Sequence, residues 1–235
     1  MIPVIIVRPE PGASATLQAA SALGMPAEAH PIFVVRPIPW TPVRREEIDA
    51  VILGSANAIR HGGAALADLR GLPAYCVGQT TATVAQAAGF TIAGIGAGGL
   101  QNVLEALAPQ HRRLLRLAGV TYVPLVLPPG VTMTTREVYA SVPTPLDTLL
   151  AHALQAPTVV LLHSGEAADH FAAICAKAMI DRARIALAVI GPRVAQMAGT
   201  GWARIETADR PSDTALLALA REMCQDLAGV AENPE

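Results

Sequence analysis

The sequence predicts an α/β protein with mostly parallel, doubly wound sheets, one domain being inserted into another. Three observations carry this reading. A strand-to-helix turn occurs twice, as Val51-Ile52-Leu53-Gly54-Ser55-Ala56-Asn57 and as Val159-Val160-Leu161-Leu162-His163-Ser164-Gly165. In each copy an aliphatic run stops at a small polar residue and an alanine-rich stretch with helical spacing follows. That is the pattern of a buried parallel strand delivering the chain to a helix N-terminus. A second turn of the same kind follows each copy, from Ala74 to Thr81 before Gly89-Phe90 and from Ala188 to Val194 before Gly201-Trp202. Proline clusters at Pro37, Pro39 and Pro42 and at Pro143 and Pro145 bracket the first copy.

Taken in order, Ile2 to Val7 reads as a buried strand, Pro9 to Gly12 as a turn, and Ser14 to Leu23 as a helix stopped by Gly24 and Pro26. A second strand is expected from Ala29 to Val35. The prolines beyond it forbid both helix and central strand, so the chain runs extended there and leaves the first domain. A βα series follows: strand Ile48 to Leu53, helix from Ala56, strand Ala74 to Val77, helix Thr80 to Ala88, strand Thr91 to Ile95, helix Leu100 to Leu107 and strand Leu114 to Leu117. Val120 to Pro129 is apolar but carries three prolines, which suits a shortened helix or an irregular loop. Val131 to Ala140 has strand character. The βα rhythm resumes at Leu146 and ends in a helix from Asp213 to Ala228, before a frayed Glu-Asn-Pro-Glu tail. The expected division is 1–35 plus 142–235 for one domain and 36–141 for the inserted one, with linker strands near 34–38 and 136–141.

Composition narrows the function classes. The chain has 235 residues, 52% of them hydrophobic and only 3% aromatic, which suits small-residue packing of helices on sheets and argues against disorder. A formal net charge of −2 offers no overall basic field for nucleic acid or an anionic membrane. Cys76, Cys175 and Cys224 are widely spaced without metal-ligand spacing, as expected of reduced, buried thiols. The apolar start is too short for a signal sequence and no run reaches a membrane-spanning length, so a soluble cytoplasmic protein is expected.

Several residues are candidates for chemistry. Gly94-Ile95-Gly96-Ala97-Gly98-Gly99 fits GxGxxG, but the acidic residue that supports a dinucleotide is missing where His111-Arg112-Arg113 stand. A flexible glycine turn is the better reading. Ser55 and Ser164 lie in no G-x-S-x-G motif; each suits a helix cap, or a cap whose neighbouring backbone N–H groups hold an anion. His163 stands at a strand end, as a ligand contact or as a hydrogen-bonded structural histidine. Arg8, Arg36, Arg136 and Arg193 fall at strand ends or crossings where guanidinium groups hold carboxylates. Tyr139 lies on the second crossing between the domains.

Ordered short motifs resemble the uroporphyrinogen-III synthase family over nearly the whole chain. Val7-Arg8-Pro9-Glu10-Pro11-Gly12 resembles its opening T-R-P turn, and Ser55-Ala56-Asn57-Ala58-Ile59 its T-S-A-N-A-V helix start. Val77-Gly78-Gln79-Thr80-Thr81-Ala82 resembles its V-G-x-x-T-A turn, Arg136-Glu137-Val138-Tyr139 its V-Y linker, and Leu162-His163-Ser164 its second T-S turn. The chain departs from the family at Leu53-Gly54, where Phe-Thr is common, and at Gly191-Pro192-Arg193-Val194, which lacks the threonine pair.

The resemblance implies two flavodoxin-like α/β domains joined by a two-stranded linker, with the active site in the cleft. It implies cyclisation of hydroxymethylbilane, a linear tetrapyrrole, to uroporphyrinogen III with loss of water and inversion of ring D through a spiro intermediate. No cofactor or metal is implied. It assigns catalysis to Tyr139 as proton donor. Substrate binding goes to Arg8, Ser55, Ala56, Asn57, Gly78, Gln79, Thr80, Thr81, His163, Ser164, Gly165, Pro192 and Arg193, with Arg193 a candidate to replace the missing threonines. Helix N-termini suit a polycarboxylate without demanding a basic protein. A monomer is expected, with no nucleic acid or membrane partner, and a transient contact with hydroxymethylbilane synthase is open. The alternative from another class is a two-lobed, non-catalytic small-anion binding or sensor protein.

Overall fold

Buried aliphatic runs set the positions of the strands. The computed structural model describes residues 2–96 and 98–232. In chain order the elements are β1 (Val4–Ile6), α1 (Gly12–Ala22), β2 (Ala27–Ala29), β3 (Phe33–Pro37), β4 (Ala50–Leu53), α2 (Asn57–His61), β5 (Pro73–Val77) and α3 (Gly78–Ala87). Next come β6 (Thr91–Gly96), α4 (Leu100–Glu105), β7 (Arg113–Gly119) and β8 (Thr132–Pro143). The rest are α5 (Thr148–Ala153), β9 (Thr158–Leu162), α6 (Gly165–Lys177), β10 (Ile185–Val189), α7 (Pro192–Ala198), β11 (Arg204–Thr207) and α8 (Asp213–Glu232). The chain divides into two compact units, Met1–Val34 with Pro143–Glu235, and Val35–Val142. Of the tail expected to fray, Glu232 is the last residue of α8, and residues 233–235 lie outside the described residues.

The first unit is built on a sheet of order β11-β10-β9-β1-β2 in which every pairing is parallel. Counted from its own first strand this is the order 2-1-3-4-5 of flavodoxin-like folds. Alternation along the strands divides the core between two faces. Ile5, Val160, Leu162, Leu187 and Val189 pack with Phe171 of α6 on one face. Val4, Ile6, Val159, Leu161 and Ala188 meet Leu216, Leu217 and Met223 of α8 on the other. Both faces are covered, which is why the strands read as unbroken apolar runs rather than as alternating ones.

The second unit is built on the sheet β3-β8-β7-β4-β5-β6, whose pairings from β8 to β6 are parallel. Counted from β4, these five strands have the order 3-2-1-4-5. One face packs Val51, Leu53, Cys76, Leu115 and Leu117; the other packs Ile52, Tyr75 and Leu114 against Val103 and Leu104 of α4.

Three local expectations are corrected. The single strand expected over Ala29 to Val35 is two strands, β2 and β3, in different sheets. Pro31 has no N–H, and the last ties to β1 come from His30 N–H to the Ile6 carbonyl at 2.8 Å and Ile32 N–H to the Val7 carbonyl at 3.1 Å. The helix expected from Ala56 is one turn, α2, followed by a separate 3-10 segment at 64–69. Gly63 breaks it with φ 70°. Of the two alternatives for Val120 to Pro129, the irregular loop is found: β7 passes to its parallel neighbour β8 without a crossover helix, because Pro124, Pro128 and Pro129 interrupt the segment.

Candidate active site

Ligands of open α/β sheets bind beyond the carboxyl ends of the strands, where the strand order reverses. Each unit has one such point, and polar groups collect at both. In the first unit it lies between β1 and β9, whose ends deliver Arg8 and His163. Asp213, the first residue of α8, joins them. Its carboxylate accepts from His163 Nε2 at 2.7 Å, from Thr16 Oγ1 at 2.9 Å and from Arg8 Nη1 at 3.2 Å. Gly12 leaves the space that Arg8 needs, since a Cβ there would stand 2.5 Å from its Nε.

The protonation states follow from this geometry. An ionised carboxylate only accepts, so His163 carries its proton on Nε2 and leaves Nδ1 as a bare acceptor. That Nδ1 is buried and has no hydrogen-bond partner among the described residues. Burial pulls the His163 pKa down, against the pull of Asp213. Burial alone would raise Asp213, but hydrogen bonds from His163 and Thr16 and the charge of Arg8 together hold it below the ordinary carboxylate value. Neutral imidazole beside carboxylate is the consistent state.

Ser164 and Gly165 continue from His163 into α6. Ser164 is the N-cap, and its Oγ accepts from the Ala167 N–H at 3.1 Å. Pro192 opens α7 at the end of β10, with Arg193 exposed beside it.

In the second unit the order reverses between β4 and β7. A cavity of about 450 Å³ lies there, lined by Gly54, Ser55, Val77, residues 98–101, residues 116–119, residues 121–125 and Tyr139. Thr121 to Leu125 of the β7–β8 connection form part of its wall. Tyr139 lies against Gly119, where a Cβ would meet its Cε2 at 2.7 Å. The His61 ring is 6.3 Å from the Tyr139 ring, and burial, then Arg60, lower the His61 pKa. Arg116 enters the same cavity from β7 with only 4% of its surface exposed.

Of the residues expected in this unit, Ser55 and Tyr139 share the cavity. Ala56, Asn57, Gly78, Gln79, Thr80 and Thr81 are not among its lining residues. Thr81 is buried in α3 at 5% exposure, while Gln79 and Thr80 are exposed. Ser55 Oγ accepts from the Asn57 N–H at 3.2 Å, one residue ahead of the N-cap position, which Ala56 holds. The glycine-rich loop has packing reasons: a Cβ at Gly94 would stand 2.8 Å from the Tyr75 ring, and one at Gly96 would strike Val103. Ala97 of that motif lies outside the described residues. Arg136 is engaged by backbone, its Nε donating to the Thr41 carbonyl at 2.9 Å.

Thr16, Asp213 and Arg116 are absent from the sequence-based assignment. Arg116 had a readable signal, a charge inside the apolar run Leu114 to Ala118. Asp213 read only as an acidic residue in a first helical turn.

Strand order, switch points and polar ends together define a ligand-binding α/β protein of two parallel-sheet units. The profile described as uroporphyrinogen-III synthase HemD matches residues 15–218. The chain belongs to the uroporphyrinogen-III synthase family, cyclising hydro-lyases of porphyrin and haem biosynthesis. Membership of an enzyme family does not favour the reading as a non-catalytic anion sensor.

No curated protein sequence matches the chain. In three dimensions 95% of it aligns with all of the uroporphyrinogen-III synthetase crystal structure from Helicobacter pylori 26695, at 18% identity and a TM-score of 0.66. A mutant uroporphyrinogen III synthase from the extremely thermophilic bacterium Thermus thermophilus aligns in full with 96% of the chain, at 16% identity and a TM-score of 0.54. At these identities the likeness shows the shared fold. Among the described residues no helix is long and apolar enough to cross a membrane.

Proposed function

We propose that the chain cyclises hydroxymethylbilane to uroporphyrinogen III. The observation that carries this reading is the family match over residues 15–218. The terminal C–O bond of the bilane breaks, its hydroxyl leaves as water, and an electrophilic azafulvene remains. The substituted carbon of ring D attacks that centre to give a spiro intermediate. Fragmentation and reclosure then invert the ring. The protein's task is largely positioning, because the unaided bilane closes head to tail.

Tyr139 is the proposed donor of the proton that leaves with the hydroxyl, supported by its place in the second unit's cavity beside Gly119. Phenols are weak acids, so the contribution of such a donor is modest. The first turns of α6 and α3, thirteen and ten residues long, offer backbone N–H groups to carboxylates through Ser164 and Gly165 and through Gly78, Gln79 and Thr80. Ser55, Ala56 and Asn57 at α2 and Pro192 and Arg193 at α7 extend that set, although these helices are short and carry little dipole. Arg8 and His163 act through the Asp213 cluster at the ends of β1 and β9. The two compact units serve as separate α/β domains, and the protein works as a cytoplasmic monomer that receives its substrate from hydroxymethylbilane synthase.

The test is to give purified protein fresh hydroxymethylbilane and oxidise the products for isomer analysis. The type III isomer is expected; type I alone refutes the reading.

A further inference from the structure

Arg116 sits in the middle of a buried parallel strand, paired with Ile52 on β4 and Thr135 on β8. Its neighbours Leu115 and Leu117 point into one core, while Arg116 shares the other face with Leu114. At 4% exposure it is a charge where the fold otherwise places aliphatic side chains. Such a charge is costly unless an anion balances it.

No ion pair is found for it among the described residues. Its Nη1 donates to the neutral Val123 carbonyl at 2.9 Å, its guanidinium lies 4.6 Å from the centre of the Tyr122 ring, and its Nε has no hydrogen-bond partner. Burial lowers its pKa from the ordinary value, opposed only by the neighbouring Tyr122 and Tyr139, yet arginine stays charged near neutral pH.

A purely structural clamp on Val123 does not need a full charge. The same loop is already held at Val126, where Gln101 donates to the carbonyl at 2.9 Å and accepts from the N–H at 3.0 Å. Arg116 instead lines the cavity at the switch point, where no acidic side chain stands among the described lining residues.

We infer that Arg116 is a carboxylate-binding subsite at the floor of this cavity, holding one acid side chain of the tetrapyrrole. This rests on the proposed reaction for the identity of the anion. The planar guanidinium fork suits a carboxylate, with the Val123 carbonyl and the Tyr122 ring fixing its plane.

The decisive variant is Arg116→Gln, which keeps an N–H donor for Val123 and removes the charge. It should raise KM for hydroxymethylbilane and Kd for uroporphyrin III, read by porphyrin fluorescence, by about tenfold or more while kcat changes little. Arg116→Lys, which restores charge without the fork, should recover part of the loss. In the unsubstituted protein, the Arg116 Nε–H resonance should shift as uroporphyrin III is added. Equal KM and Kd in Arg116→Gln and the parent protein overturn the subsite. Should Arg116→Gln not fold, an unmoved Nε–H resonance at saturating uroporphyrin III overturns it equally. Failure of the reaction itself looks different, as absence of the type III isomer from the unsubstituted protein.

Discussion

His163 Nε2 lies 2.7 Å from Asp213, fifty positions away in the chain, and the pair closes the switch point of the first unit. The contact orders two other residues, because Asp213 also holds Thr16 and Arg8. Arg8, expected to hold a substrate carboxylate, already faces an internal one. We propose that its role toward substrate is that of a positioning residue, acting through Asp213 on His163.

Acid stability should reflect this cluster. His163 has a folded pKa below its unfolded value, so protonation favours the unfolded chain. Stability is lost as pH falls below about 6.5, the unfolded histidine value, towards the folded one. Asp213 is also depressed, so its contribution is present above about 3.9 and fades below that. In a Trp40→Phe background, Trp202 reports the first unit, since it stacks on Phe171 at 5.5 Å. Urea midpoints should then fall as pH drops below about 6.5, and His163→Gln should flatten that part of the curve. An unchanged slope in His163→Gln would remove His163 as its source.

In the second unit the acid-labile group is Asp49. The side-chain hydrogen bond from Arg113, at 2.6 Å, leads the causes that lower its pKa to about 2. Its stabilising contribution is complete above about pH 4 and is lost as pH falls through about 2. Asp49→Asn should remove that acid limb when Trp40 fluorescence is followed in a Trp202→Phe background.

The Gly119–Tyr139 contact gives a graded test of the proposed proton donor. Tyr139→Phe should lower kcat on the order of tenfold with the melting temperature nearly unchanged. Gly119→Ala places a Cβ 2.7 Å from Tyr139 Cε2 and should displace the ring, with a loss of similar size. Combined, the two should cost little more than either alone, because both act on one hydroxyl. Additive losses would assign Gly119 a separate role.

Two serines that look alike in sequence should behave differently. Ser164→Ala removes a cap bond from a thirteen-residue helix and should destabilise the first unit by about 1 kcal/mol. Ser55→Ala removes a weaker local bond ahead of a five-residue turn and should cost only about a few tenths of a kcal/mol. Denaturant midpoints measure both.

The strands, the α/β class and the paired turns were legible because buried parallel strands are local apolar runs that end at small polar residues. Val51 to Leu53 and Val159 to Leu162 need no partner to be recognised. Ordered motifs such as Ser55-Ala56-Asn57 and Val138-Tyr139 also carried the family resemblance. What lay beyond local pattern was decided by contacts distant in sequence. The split of β2 from β3 depends on which sheet has a free edge, and the loop form of 120–129 on the packing that holds it to Gln101 and Arg116. Asp213 gains its role only when α8 brings it to the end of β9. Arg116 looks misplaced in an apolar strand until the cavity beside it is known. Hydrophobic burial is encoded residue by residue, whereas electrostatic partnership belongs to pairs that only the folded chain brings together.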